Sequence, residues 1–340
     1  MGLKEYVISR ILLTPIMVLI LLTAVFVLMR VLPGDPVTML EGKNIPEDVL
    51  ARRRAELGLN KPLYQQYIDY LYSILVNHDL GYTALERIPV SYLILTRFPA
   101  TVELALASSA IAISLGVAMG LLTARHRGTK VKTLVRVYSS VVYSIPVFYI
   151  GMLLQLSLAK PLGLPTTGRL SPLNMITLDE LPHRTGFVVV DAIIAGRPDI
   201  IMDFLVHIAL PATALGLYLS GVFTRVTYLA VEEAMLQEYV RSARARGIRE
   251  WNIILRYGLR NAMIPLLTMG GLQIAALLGG AVLTETTFNW DGLGLLVYEG
   301  ILKRDYAIVQ GTVTIYAVIV ALVSLLVDIA YAYVDPRVRY

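Results

Sequence analysis

Six long apolar stretches divide this sequence, and each is close to the roughly 20 residues that an α-helix needs to cross a bilayer. Hydrophobic residues make up 56% of the 340 residues and charged residues only 16%. Soluble domains contain about 45–50% hydrophobic and about 25% charged residues. A membrane domain therefore explains the composition better than one or two soluble cores. We therefore predict an all-α polytopic membrane protein with six transmembrane helices, at 7–29, 101–123, 134–159, 204–226, 264–284 and 309–334.

The basic residues between these stretches predict the orientation. Segment 125–132 carries four basic residues and no acidic one, and segment 232–261 carries six Arg against four Glu. Segments 160–203 and 285–307 have more acidic than basic residues. The positive-inside rule places the first two segments in the cytoplasm. Both termini are then predicted to be cytoplasmic. The first stretch, 7–29, is too long for a signal-peptide core and lacks a clear cleavage site, so we interpret it as a retained span.

The spacing of the spans predicts three regions. We expect residues 1–30 to form a cytoplasmic end and the first transmembrane helix, and residues 31–97 to form a folded extracytoplasmic loop. Residues 98–340 would then form a core transmembrane domain with five helices. This core includes an irregular extracytoplasmic segment rich in Pro and Gly, 160–203, and a cytoplasmic coupling loop, 232–261.

The long loop 31–97 contains two helical patterns of its own. A charged helix begins after Pro46 and should stop at Gly58, and a second helix begins after Pro62. The second helix has one apolar face, as expected for a helix that packs on something. This face consists of Leu63, Tyr67, Tyr70, Leu71 and Ile74.

Several kinds of chemistry find no support in the sequence. There is no cysteine, which excludes disulfides and thiolate chemistry. There is no phosphate-binding loop ending in Gly-Lys-Ser/Thr, and the Gly270-Gly271 pair is better explained by close packing of membrane helices. The basic residues lie between spans, so nucleic-acid binding is not indicated. A metal site or membrane hydrolase is disfavoured because the four histidines have no ligand spacing: His78, His126, His183 and His207.

Loop 232–261 combines strong helix formers with a glycine stop. A helix with a Glu238–Arg241 pair should end at Gly247, and a second pattern runs from Glu250 to Leu259. Two short helices joined by a glycine bend could form a compact docking element for a partner. The alternative is an amphipathic helix that lies on the membrane surface.

The runs Tyr-Val-Arg-Ser-Ala-Arg-Ala-Arg-Gly at 239–247 and Leu-Arg-Asn-Ala-Met-Ile-Pro at 259–265 resemble the coupling-loop signature of the dipeptide/oligopeptide/nickel permease family of ABC importers. The long first loop is similar to that of the B-type subunit. The general importer signature is Glu-Ala-Ala, three residues, Gly, nine residues and Ile-x-Leu-Pro, and only Ala243, Gly247 and Leu259 match it here. The resemblance therefore rests on the variant of this signature that is specific to the permease family. Further matching runs lie at 34–36, 57–63, 99–104, 279–282, 285–286, 292–294, 304–306, 309–311 and 335–340.

The resemblance implies a type I ABC importer-like transmembrane domain and an ATP-driven import of peptides or a related substrate. Its implied partners are a second, C-type permease subunit, two ABC ATPases, an extracytoplasmic binding protein and the lipid bilayer. ATP would bind to the ATPases, and no cofactor is expected on this chain. The substrate stays open between dipeptides, oligopeptides, nickel complexes and oligosaccharides.

By the same resemblance, a coupling helix at about 238–247 would sit in a groove of an ATPase. Ala243 would allow close approach and Gly247 a sharp exit, while Arg241 and Arg244 could pair with acidic residues of the ATPase. The residues implied in ATPase coupling are Tyr239, Arg241, Ala243, Arg244, Gly247, Leu259 and Arg260.

Polar residues within the predicted spans are candidates for the translocation path. Simple packing is the alternative for each of them, as it is for a kink at Pro146. Glu103 and Asp328 are expected to have structural roles, Asp328 by pairing with a base. The possible path-lining residues are Tyr143, Ser144, Gln273 and Thr284.

Two other functions remain as alternatives. An ion-coupled secondary transporter would account for six spans, but such proteins often have inverted repeats and broken helices. The sequence indicates neither, and the arginine-rich loop would be unexplained. A membrane-anchored scaffold is the third class, although internal prolines and small-residue faces favour a bundle that moves.

Overall fold

The computed structural model describes residues 3–31, 46–56, 58–84, 86–125, 130–180, 185–278 and 281–334. Within these ranges the regular elements are helices, and one isolated β-bridge joins Tyr82 to Pro89. The helices are α1 (Leu3–Val31), α2 (Glu47–Glu56), α3 (Leu63–Leu75), α4 (Val90–Arg125), α5 (Lys130–Ser144), α6 (Val147–Leu162), α7 (Pro172–Asp179), α8 (Val188–Ile194), α9 (Pro198–Ala234), α10 (Glu238–Ala245), α11 (Glu250–Leu278), α12 (Val282–Thr287), α13 (Leu293–Leu302) and α14 (Tyr306–Val334).

Five of these helices are long and apolar enough to cross a membrane, and a bent pair raises the number to as many as six. The five are α1, α4, α9, α11 and α14, which contain the predicted first, second, fourth and sixth spans and most of the fifth. Helices α4 and α9 have 36 and 37 residues. Each is about 55 Å long, well beyond the ~30 Å of a hydrocarbon core. They therefore carry residues at both ends out of the bilayer.

The predicted third span is not one continuous helix. Helices α5 and α6 are bent by 102° at a short break, so the expectation of a packing kink in an unbroken span was wrong. Pro146 is the N-cap of α6 and cannot donate a hydrogen bond back to α5. A residue before proline also disfavours the helical conformation, and Ile145 occupies that position.

The predicted fifth span also differs from the structure at its end. It was expected to reach residue 284, but α11 ends at Leu278 and Thr284 belongs to the separate helix α12. Gly279 and Gly280 lie outside the described residues. Helix α12 is held elsewhere because the Glu285 carboxylate accepts hydrogen bonds from α4 and α13. The chain therefore leaves the line of α11.

The bundle has two chemically different ends. The loop-rich end comprises the described residues within 46–89, 163–197 and 281–305, and the knob end comprises residues 235–249, which we call the knob. At the loop-rich end, Asp203 accepts hydrogen bonds from both the backbone amide and the hydroxyl of Ser171. Ser171 is thus tied to α9, although the helices between α6 and α9 are short.

Helices α4 and α9 approach so closely that their contact requires glycine. A Cβ atom added at Gly116 would lie 2.4 Å from the Cβ of Phe223, and one at Gly120 would lie 2.5 Å from that of Thr227. A Cβ at Gly216 on α9 would lie 2.6 Å from Ile111 on α4. Small residues are typical of membrane helix pairs because backbones can then pack at van der Waals distance.

The long first loop is attached to two spans. Helices α2 and α3 lie where the sequence predicts them. Tyr70 of α3 is buried, its ring centroid lies 5.6 Å from that of Phe26 of α1, and its hydroxyl forms a 2.9 Å hydrogen bond with Thr314 of α14. Leu63, predicted on the same face, is exposed. Farther along, α1 and α14 are joined by an ion pair between Arg10 and Asp328 at 3.2 Å, which confirms the expected base partner of Asp328.

The α4–α9 contact can be tested with one substitution and a matched control. Gly116→Leu should lower the apparent melting temperature of the detergent-purified protein, because its side chain has no space against Phe223. The cost should exceed the ~1–3 kcal/mol of ordinary overpacking. Ala118→Leu on the same helix adds a larger side chain at an exposed position and should have little effect. Equal melting temperatures would contradict the proposed packing.

Candidate functional site

The knob begins and ends as its sequence predicts. Helix α10 spans Glu238–Ala245, and Gly247 has φ +73°, a conformation that L-residues rarely adopt. The Gly247 amide donates to the Arg244 carbonyl at 2.9 Å, and the Ile248 amide donates to the Ala243 carbonyl at 3.2 Å. These bonds satisfy carbonyls at the end of the helix. The chain can therefore turn sharply toward α11.

One side of the knob is fixed to the bundle. Val240 and Ala243 are 0% exposed and pack in the same core as Ile253 and Ile254 of α11. The small side chain of Ala243 thus allows the knob to pack closely against other helices of this chain. Leu259 is partly buried against the same core. Rotation of the knob independently of α11 would expose this apolar contact to water.

The other side of the knob is basic and exposed. Arg241 pairs with Glu238 at 2.8 Å, which confirms the predicted pair. Arg244 pairs with Glu250 at 2.7 Å, within this chain. The hydrogen bond to Glu250 raises the pKa of Arg244.

Two further arginines of the knob are absent from our sequence-based choice of coupling residues. Arg246 and Arg249 are both exposed, and neither has an ion-pair partner among the described residues. Their signal in the sequence was the excess of Arg over Glu in the loop. Whether these two side chains are exposed and unpaired, and so free to bind a partner, is seen only in the structure.

The two remaining predicted coupling residues, Tyr239 and Arg260, are exposed. Tyr239 is 41% exposed and its hydroxyl accepts a 3.0 Å hydrogen bond from Asn261. Its ring lies 6.0 Å from that of Tyr257. Arg260 is exposed on α11, one position beyond Leu259. The hydrogen bond from Asn261 thus ties Tyr239 of the knob to α11 next to Arg260, while Ala243 and Leu259 pack in the core.

A π-helical segment connects the knob to its span. Residues Ile254–Leu259 of α11 are π-helical, and Gly258 packs against α9, where an added Cβ would lie 2.9 Å from a methyl group of Val231. π-Helical segments are uncommon and frequently occur at functional sites. No pattern in the sequence predicted this segment.

A buried carboxylate organises the loop-rich end. Glu285 is 0% exposed, and its carboxylate accepts hydrogen bonds from Thr101 at 2.8 Å and from the Leu295 amide at 3.0 Å. Thr101 in turn accepts one from the Leu293 amide at 2.8 Å. A Cβ at Gly292 would lie only 2.4 Å from the Glu285 carboxylate. Three of the runs that resemble the permease family, at 99–104, 285–286 and 292–294, therefore lie together here.

Two neighbouring contacts extend this arrangement. The fully buried Trp290 donates its indole N–H to the Ala100 carbonyl at 2.8 Å. Arg169 donates to the carboxylate of Glu103 and, at 2.8 Å, to the Gly186 carbonyl. Glu103 thus fastens segment 163–197 to α4, which is the structural role expected for it.

The four path candidates lie on three helices. Tyr143 of α5 is 57% exposed and stacks on Tyr218 of α9, with ring centroids 5.6 Å apart. Ser144 donates to the Ser140 carbonyl at 2.7 Å. Gln273 is half-buried on α11, whereas Thr284 on α12 is only 1% exposed. The structure thus groups Tyr143 with Ser144 and buries the side chain of Thr284 within the chain.

In the described parts of the chain, no group of three or more His, Asp or Glu side chains could hold a metal ion. The candidate sites are therefore a docking surface at one end, a buried hydrogen-bonded carboxylate at the other, and polar side chains between α5 and α9.

Comparison with known proteins identifies the family. The profile of the binding-protein-dependent transport system inner membrane component matches residues 116–340, and the N-terminal profile of such membrane components matches residues 3–105. The chain belongs to this family and is an ABC-importer permease, a membrane-spanning transport subunit. The family does not support the alternative of an ion-coupled secondary transporter.

Individual relatives agree with this assignment. The chain is 39% identical to the dipeptide transport system permease DppB of Escherichia coli K12, over 94% of each chain. It is 38% identical to the di/tripeptide permease DppB of Pseudomonas aeruginosa, over 93% of each, and 34% identical to the glutathione permease GsiC of Pectobacterium atrosepticum, over 99% of each.

A solved structure supports the fold. A chain of the inward-facing MetNI methionine ABC transporter aligns with a TM-score of 0.55 at 15% identity, covering 72% of this chain and 97% of that chain. At this identity the match concerns the fold alone. The predicted all-α, type I importer-like architecture is confirmed.

The Glu285 carboxyl should make stability depend on pH. Burial raises its pKa from 4.5 to about 7, against the opposing effect of hydrogen bonds from Leu295 and Thr101. Because the folded-state pKa lies above the unfolded-state value, the folded state binds the proton more tightly between these two pH values. Stability should thus be highest below the unfolded-state pKa and fall as pH rises through about 7.

Glu285→Gln, which mimics the protonated carboxyl, should remove this component. Melting temperatures of the wild type and the variant would be compared between pH 5 and pH 8 in one detergent. We expect the wild type to lose several degrees more than the variant as pH rises. Parallel profiles would show that the carboxylate does not have this raised pKa.

Proposed function

We propose that this chain is the peptide-translocating B-type subunit of an ABC importer. It would pair with a second, C-type permease subunit and with two cytoplasmic ATPases, and an extracytoplasmic binding protein would deliver the substrate. ATP would bind to the ATPases, with no cofactor on this chain. The names of three relatives, which refer to dipeptides, di/tripeptides and glutathione, favour short peptides as the substrate class.

The observation that carries the coupling proposal is the two-sided construction of the knob. Its inner side is formed by the fully buried Val240 and Ala243, and its outer side carries exposed arginines. A surface of this kind suits an acidic groove on a partner. Tyr239, Arg241, Gly247 and Arg260 would take part directly, together with Arg246 and Arg249.

In this proposal Arg244, Ala243 and Leu259 act from within the chain. Arg244 orients the knob through Glu250, and the other two fix it to α11. Movement of the ATPases would then displace the knob together with α9 and α11 as one body, and would shift the spans between inward- and outward-facing states.

The orientation follows from charge. The knob, with its arginines, would lie in the cytoplasm with both termini, and the loop-rich end would face the binding protein. Residues 46–89 are part of that end, so we propose that they contact or face the binding protein. The path would be lined by Tyr143 and Ser144, and by Gln273. We leave out Thr284 because its side chain is buried within this chain.

The coupling proposal predicts that the outer arginines are needed for ATPase attachment. Arg246→Glu combined with Arg249→Glu should abolish co-purification of the ATPases with the tagged chain and leave the second permease subunit attached. Because both side chains are exposed and lack ion-pair partners in the described residues, the fold should be unaffected. Mass spectrometry of the material that co-purifies would provide the measurement.

Lys160→Glu serves as the matched control, since it reverses an exposed charge in the last turn of α6, next to the loop-rich end. It should retain every partner. Retention of the ATPases by the double variant would exclude the basic side of the knob as their docking surface. If even the wild-type chain purifies without ATPases or a second permease, the proposed assembly itself fails.

A further inference from the structure

A cationic groove lies between α5 and α9 on the side of the knob end. It has a volume of about 410 Å³. We call it the Arg136–Arg225 groove, and its polar lining includes Arg136, Ser139, Ser140, Thr224, Arg225 and Tyr228. None of the coupling residues lies in it.

The groove has two positive charges without carboxylate partners. Arg136 donates a 2.7 Å hydrogen bond to the Tyr228 hydroxyl and lies over its ring at 5.2 Å. Lys132 lies close by but is paired with Glu232 at 3.0 Å. Among the described residues, no carboxylate lies within ion-pair distance of Arg136 or Arg225. The groove therefore favours an anion.

A buried hydroxyl provides a second, independent observation. Thr224 lines the groove and is only 2% exposed, and its hydroxyl has no hydrogen-bond partner in the described part of the chain. A buried polar group without a partner costs free energy. A bound oxyanion would accept this hydrogen bond and would also satisfy the two guanidinium groups.

The groove opens onto the side of α5 that carries the path candidates. Arg136, Ser140 and Tyr143 follow one another at helical spacing on one face of α5, and Ser144 lies at the edge of that face. The exposed apolar residues Leu134, Val137 and Val141 lie on a different face. Exposed polar side chains within a span face water or protein rather than lipid. The groove thus continues the proposed path toward the knob end.

We propose that the Arg136–Arg225 groove binds the terminal carboxylate of a peptide on its way to the cytoplasm. This inference rests on the proposed function, which supplies the substrate class. The guanidinium group suits a carboxylate because it presents several N–H donors in a planar fork. A lipid phosphate is the other oxyanion that could reach the groove, and the experiment separates the two sources.

The test uses the complete transporter with its binding protein, reconstituted in vesicles with ATP on the ATPase side. Uptake of a labelled dipeptide is measured at saturating peptide and binding protein. Arg136→Gln with Arg225→Gln should lower the maximal rate by about tenfold or more, as expected for the loss of charge-assisted hydrogen bonds. Thr224→Val should lower it to a smaller extent. Retention of the partners and of basal ATPase activity establishes that the variants are assembled.

A control variant separates the effect of charge inside the groove from a general loss of positive charge. Lys130→Gln removes a charge from an exposed position on α5 outside the groove and should leave the rate unchanged. A rate equal to the wild type in the double Arg variant, or an equal loss in Lys130→Gln, would overturn the proposal.

The lipid source is tested by comparing vesicles of phosphatidylcholine alone with vesicles that also contain phosphatidylglycerol. A loss of rate in both supports a peptide carboxylate site. A loss confined to vesicles with phosphatidylglycerol assigns the groove to a lipid phosphate and overturns the peptide assignment. If the wild-type transporter takes up no dipeptide in either lipid, the proposed function fails, and the carboxylate assignment falls with it.

Discussion

The close contact of α4 with α9 is the constraint on which the rest of this structure depends. Burial from water contributes little to association inside a bilayer, so membrane helices are held together mainly by van der Waals packing and hydrogen bonds. The glycines at 116, 120 and 216 bring the two longest helices to backbone contact. The two ends of the bundle are then fixed by one rigid pair. Thr101 of α4 holds Glu285 at the loop-rich end, and α9 leads into the knob at the other.

This construction explains how a displacement of the knob could reach the spans. The knob shares a buried core with α11, and Gly258 allows α11 to pack closely against Val231 of α9. A force on the outer arginines therefore acts on two membrane helices together. Packed cores of this kind respond by discrete repacking rather than by gradual deformation. The π-helical Ile254–Leu259 lies where α11 leaves the knob, and it is the place where such a change would require the least loss of regular hydrogen bonding.

The sequence predicted those features that depend on local periodicity and composition. Long apolar runs located five spanning helices, and the Gly247 stop and the Glu238–Arg241 pair were correctly predicted because both depend on residues within a few positions. The carboxylate of Glu285 could not be placed in the same way. Its partner Thr101 is 184 positions away, and only the fold brings the two together.

Other differences arose because one pattern permits two structures. A proline in an apolar run is compatible with a kink or with a full break, and the bend of 102° depends on what the two halves pack against. The alanine at 243 could equally face a partner or the chain's own core. Its burial is decided by α11, which follows it in the chain and covers it. In both cases the local sequence is ambiguous and the tertiary contacts select the outcome.

The break at Pro146 also connects the two ends of the molecule. Non-regular backbone inside a bilayer is tolerated only where protein or water satisfies it. Here α6 packs against the segment that follows Glu285: Gly151 lies under the Phe288 ring, and Gln155 donates to the Thr287 carbonyl at 3.3 Å. On the other side of the break, α5 is pressed onto α9, where a Cβ at Gly221 would lie 2.8 Å from the Ser139 carbonyl. The direction of α6 is thus set by the Glu285 segment, and the width of the Arg136–Arg225 groove is set by the contact of α5 with α9. A change in either contact would alter the polar face of α5, and this makes the broken helix the element through which the loop-rich end could affect the groove.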